Sequence, residues 1–102
     1  MLSLLNMTTL LQRIEEFSKK NPVAPDASLT KEFALTGLSS EVGKLNKLCQ
    51  NHQGSDAQDA FCNSTAMILW YLANISRDMG LDFNKVGEEG FSEIVSLFEK
   101  RG

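Results

Sequence analysis

From Met67 to Leu72 the chain runs through six consecutive apolar residues, Met-Ile-Leu-Trp-Tyr-Leu, inside a stretch that carries no glycine or proline between Ser55 and Met79. A segment of that length without punctuation reads as one helix, and Phe61, Met67–Leu72 and Ile75 cover nearly its whole circumference. Such a helix has almost no face to give to water. It is therefore expected at the centre of the fold, buried on several sides by other helices or by a second subunit.

The remaining segments supply those neighbours. Leu10, Leu11, Ile14 and Phe17 recur at 3-to-4 spacing, so a first helix is expected from Thr8 or Thr9 to Lys19, ended by Asn21-Pro22. Residues 21–28, Asn-Pro-Val-Ala-Pro-Asp-Ala-Ser, form the one clear linker. Phe33, Leu35, Leu38, Val42, Leu45 and Leu48 then keep a helical period to about Gln50, across Gly37 and Gly43, each of which costs about 1 kcal/mol relative to alanine. Close helix packing is the expected reason for tolerating them. Asn51-His52-Gln53-Gly54 reads as a loop, Ser55 and Gln58 as a capping box, and Gly80 as the end of the central helix. Asp82 is placed to cap a last segment with Phe83, Val86, Phe91, Ile94, Val95, Leu97 and Phe98, which Gly87 and Gly90 are expected to divide into a short helix and a terminal one. The fold class expected is all-α, an antiparallel bundle of four to five helices.

With 102 residues the chain is one domain with one core, small enough that oligomerisation would help it bury its apolar surface. Only two prolines and seven glycines leave few turns for a β-rich fold. Ten basic against 13 acidic residues, a net charge of −3, give no footprint for duplex nucleic acid. Residues 1–7 are apolar but carry no basic n-region. They are read as an N-terminal extension, and no signal peptide, membrane span or membrane partner is expected, which points to the cytoplasm. Cys49 and Cys62 form no C-x-x-C pair and are expected as free thiols in packing positions.

Two stretches resemble a known family. Leu38-Ser39-Ser40-Glu41-Val42-Gly43-Lys44-Leu45 is similar to the E-V-G-E-L signature of the MazG-like all-α nucleoside triphosphate pyrophosphohydrolases. Met67-Ile68-Leu69-Trp70-Tyr71-Leu72-Ala73, followed by Met79-Gly80-Leu81-Asp82-Phe83, resembles their D-V-L-W-Y-L-A helix and G-[LI]-x-[LF] restart. The likeness is strongest over residues 30–98. It implies a helical bundle assembled as a homodimer or a dimer of dimers, with an E-x-x-E pair on one helix and an E-x-x-D pair on the next holding Mg²⁺ for release of pyrophosphate.

This chain departs from that pattern at the acids. The first pair falls on Glu41 and Lys44, the second on Ser64 and Met67, and the family's phosphate-holding N-x-x-K falls on Gly90 and Glu93. One carboxylate of the four remains. Mg²⁺ takes oxygen ligands in near-octahedral geometry and dehydrates reluctantly, so a carboxylate, a hydroxyl, a thioether and an ammonium offer it little. Lys44 lies one helical turn after Glu41, where an ion pair replaces the metal and its charge repels a dication. Glu41, Lys44, Ser64 and Met67 are thus the remnant-site positions. Glu41, Lys44 and Ser64 are the expected ligand-binding residues, and no catalytic residue, metal ligand or cofactor is assigned.

The other chemistry-bearing residues have simpler explanations. Trp70 and Tyr71 on an apolar helix are read as packing rather than as a nucleobase platform. Asp56 and Asp59 suit the first turns of a helix, and His52 is read as an exposed loop residue without a nucleophile partner. The expectation is a MazG-like domain that has lost Mg²⁺-dependent hydrolysis and binds a nucleotide or a protein. The alternative is an active enzyme, turning NTP into NMP and pyrophosphate, in which Glu41 is joined by Asp56, Asp59, Glu88 or Glu89, the last two from a neighbouring subunit.

Overall fold

In the computed structural model, residues 8–51 and 54–101 are described. They form four α-helices and no strand: α1 (Leu10–Lys20), α2 (Thr30–Asn51), α3 (Gly54–Asp78) and α4 (Phe83–Arg101), with a single 3₁₀ turn at Ala27–Leu29 before α2. None of the described helices is long and apolar enough to cross a membrane.

Local chemistry sets each boundary. Thr9 caps α1 through a capping box: its hydroxyl accepts from the Gln12 amide at 3.1 Å and its own amide donates to the Gln12 side chain at 2.7 Å. Asp26 caps the 3₁₀ turn by accepting from the Ser28 amide at 2.9 Å. At the end of α3 the chain turns left-handed at Gly80, with φ of 74°. There the Gly80 amide donates to the Arg77 carbonyl at 3.0 Å and the Leu81 amide to the Ser76 carbonyl at 2.9 Å, the paired bonds of a Schellman stop. Asp82 then caps α4, accepting from the Lys85 amide at 3.2 Å.

α2 and α3 form an antiparallel hairpin. Lys31 at the start of α2 lies 3.9 Å from Asp78 at the end of α3, and Gly37 faces the Tyr71 ring. A Cβ at Gly37 would overlap that ring, so this glycine is where the two helices come closest. α1 lies across α3, and α4 packs on both α1 and α3 through its first turns, where Phe83 is buried, Asn84 accepts from the Thr9 hydroxyl at 2.8 Å and Gly87 meets Leu11. α3 therefore touches every other described helix.

A polar staple fixes the linker to α3. The Asn74 side chain accepts from the Val23 amide at 3.1 Å and donates to the Trp70 carbonyl at 2.8 Å. Arg77 donates to Asn74 at 3.0 Å and to the Ser18 hydroxyl, which in turn donates to the Glu15 carbonyl at 2.7 Å. Ser18 and Asn74 are fully buried. Buried polar groups must be bonded, and here the bonds join α1, the linker and α3.

Three expectations from the sequence are corrected. α4 is one helix through Gly87 and Gly90: Gly87 is taken up by close contact with Leu11, and two glycines at about 1 kcal/mol each do not break a 19-residue helix. α3 starts at Gly54, so Ser55 lies inside the helix rather than at its cap. α3 is central, as expected, and its neighbours within one chain cover it in part: Phe61 and Leu72 are exposed and Met67–Tyr71 half-buried. Cys49 and Cys62 are free thiols, but both are exposed rather than packed. The extension at residues 1–7 and His52 lie outside the described residues.

Candidate functional site

The hairpin register sets the site. With Gly37 facing Tyr71 in an antiparallel pair, one turn further along α2 and one turn back along α3 brings Glu41 level with Met67, and Lys44 level with Ser64. The four remnant-site positions thus occupy one stretch of the hairpin. Glu41 is only 4% exposed, and Ser64 on the facing helix is also buried. The Lys44 Nζ lies 3.0 Å from Glu41 Oε2, yet the lysine side chain remains 66% exposed. Most of the lysine side chain is in water, and its ammonium meets the carboxylate where Glu41 reaches the surface.

Met67, level with Glu41 and half-buried, borders a second surface as well. It lines an apolar groove of about 510 Å³ between α1 and α3, together with Leu10, Ile14, Phe17, Ala66 and Trp70, with Arg13 and Asn21 as its polar members. Trp70 donates its indole N–H to the Asn21 carbonyl at 3.1 Å and its ring leans on Tyr71, centroids 5.3 Å apart at 47°. Its polar handle is engaged in tying the linker to α3.

The donor set does not fit Mg²⁺. The carboxylate already carries an ammonium at 3.0 Å, and among the described residues no three His, Cys, Asp or Glu side chains gather where a metal could be held. Asp56 and Asp59 stand exposed in the opening turns of α3, and Glu88 and Glu89 stand exposed on α4. Among the described residues of one chain, none of these acids joins Glu41 in a cluster of three.

The sequence reading missed the residues of the staple. Ser18, Asn74 and Arg77 belong to no motif, but Asn74 and Ser76 interrupt the apolar face of α3 within its last two turns, and that interruption is the available signal. No known family matches the chain, and neither a curated protein nor a solved structure matches it.

Proposed function

We propose that this chain is a MazG-like helical binding module that carries out no Mg²⁺-dependent pyrophosphohydrolysis and works as a self-associated oligomer. The observation that carries the proposal is the Glu41–Lys44 pair at 3.0 Å, a buried carboxylate whose counter-ion is built into the same helix. A metal entering there would have to displace a covalently tethered cation and find its remaining ligands in a serine and a thioether. What the site presents to solvent is the positive end of the pair. Its ligand is accordingly an anion met without a metal, such as a nucleotide phosphate or an acidic protein side chain, reaching the Lys44 ammonium.

The test is release of pyrophosphate from common and modified nucleoside triphosphates with Mg²⁺ or Mn²⁺. The wild type is expected to be silent, and the triple variant Lys44→Glu, Ser64→Glu, Met67→Asp to gain turnover. Wild-type activity abolished by Glu41→Gln would overturn the proposal in favour of an enzyme with ligands drawn from a neighbouring subunit. Calorimetric titration with nucleotide in the presence of EDTA tests the binding role, and Lys44→Ala is expected to weaken it about tenfold, the effect of losing one charge-assisted contact.

A further inference from the structure

Among the described residues, the most exposed apolar surface lies on α4. Every residue from Glu88 to Arg101 is exposed, including Phe91 at 65% and Phe98 at 67%. At 100° per residue Phe91, Ile94, Val95, Leu97 and Phe98 fall on one face, in line with Phe83 and Gly87, which seat the first turns of α4 on the body. Beyond Gly87 the same stripe continues in solvent, uncovered by the described residues of its own chain. A solvated 14-residue helix is marginal in water even without such a stripe.

We propose that this C-terminal half of α4 is an arm that docks in the α1–α3 groove of a second copy, each copy giving its arm to the other. The inference rests on the reading that the chain self-associates and specifies the surfaces. Arm and groove match in length: Phe91 to Phe98 and Leu10 to Phe17 each span seven residue steps, about 10 Å of helix. They match in net charge: Arg13 is the charged residue lining the groove, while the arm carries Glu88, Glu89, Glu93 and Glu99 against Lys100 and Arg101, a net −2. They match in area. The chain exposes 7832 Å², whereas a folded monomer of 11.3 kDa should expose about 5,700 Å². The excess of roughly 2,000 Å² is what one subunit of an obligate homodimer buries, about 1,000–2,500 Å² per partner.

A second copy is the occupant because it satisfies arm and groove at once, with two identical contacts closed by a two-fold axis. Residues 1–7 offer Met1, Leu2, Leu4, Leu5 and Met7, too few apolar side chains to cover surfaces on α1, α3 and α4 together.

The experiment is sedimentation equilibrium on the full chain, with helicity checked by circular dichroism. The wild type is expected to be a dimer at micromolar concentration. The arm variant Phe91→Glu, Phe98→Glu and the groove variant Leu10→Glu, Phe17→Glu change only exposed positions, and each is expected to raise the dimer dissociation constant at least about 100-fold. Mixed in equal amounts they should dimerise again, because a mixed pair keeps one intact arm in one intact groove. Should the groove variant lose helicity, Arg13→Glu takes its place, with an expected weakening of about threefold to tenfold. A monomeric wild type would overturn both the self-association and the docking. A dimer that survives the arm variant, or that mixing fails to restore, would overturn the docking while leaving self-association intact.

Discussion

A carboxylate as buried as that of Glu41 depends on its partner. If Lys44 were replaced by methionine, the carboxylate would stay buried without a counter-charge, and the loss is expected to be about 1–3 kcal/mol. Glu41→Gln should cost less, because the mostly exposed Lys44 ammonium returns to water. The double variant Glu41→Leu, Lys44→Met is expected to match or exceed the wild type, since it removes the buried carboxylate, whose desolvation the pair carried, together with its counter-charge. Urea midpoints at unchanged slope measure all three, and a Lys44→Met protein as stable as wild type would show that water, not lysine, satisfies the carboxylate. At the other end of the hairpin, the Ser28 backbone amide and hydroxyl hold the Asp26 carboxyl below its ordinary value of 3.8. A depressed pKa means that the cap is intact at neutral pH and is lost as pH falls through that lowered value. The Ser28 amide chemical shift should therefore titrate with a midpoint below 3.8. Spacing alone makes the Glu41–Lys44 pair legible, because side chains one turn apart share a face. The burial of one partner and exposure of the other is not legible, since it depends on where α3 crosses.

At the scale of elements, two glycines of α2 that look equivalent in sequence are predicted to respond with opposite signs. A methyl group at Gly43 would meet nothing within 4 Å, so Gly43→Ala should stabilise by up to about 1 kcal/mol through helix propensity. Gly37→Ala would push the Tyr71 ring off Trp70 and should destabilise by about 1–2 kcal/mol net, with Gly37→Ala, Tyr71→Leu recovering most of the loss. Thermal melts of the wild type and the three variants decide it; equal shifts for Gly37→Ala and Gly43→Ala would mean that the hairpin is looser than its geometry. Helix periodicity locates all four helices, because the 3-to-4 spacing is a property of each segment. It cannot show why a glycine stands at position 87, since the reason is a close contact with Leu11 some 76 positions earlier in the chain.

For the whole molecule, the apolar circumference of α3 calls for cover on all sides, and one chain supplies it only in part. The described helices leave Phe61, Leu72 and the stripe of α4 in water, and the radius of gyration, 15.9 Å, exceeds the roughly 13 Å of a compact chain of this length. If self-association supplies the missing cover, stability is tied to concentration, and the melting temperature should rise by several degrees as protein goes from about 1 to 100 μM. A melting temperature independent of concentration would mean that the single chain is stable as it stands. Sequence cannot apportion that cover between neighbours within the chain and neighbours outside it, because both leave the same pattern of apolar residues.

The joint between α3 and α4 has a consequence for insertion and deletion. Four residues, Met79 to Asp82, make the turn, and the Gly80 stop, the Ser76 hydroxyl on the Leu81 carbonyl at 3.1 Å and the Asp82 cap leave it no slack. The azimuth of α4 is therefore inherited from α3 rather than adjusted by a flexible link. A single alanine inserted after Glu89 would leave the joint and the first turns of α4 in place, but it would rotate everything beyond by about 100°, swinging Phe91 and Phe98 away from the line of Phe83. An insertion of about seven residues, two whole turns, would restore that line. Length changes in this half of α4 should therefore be tolerated by helical phase rather than by size.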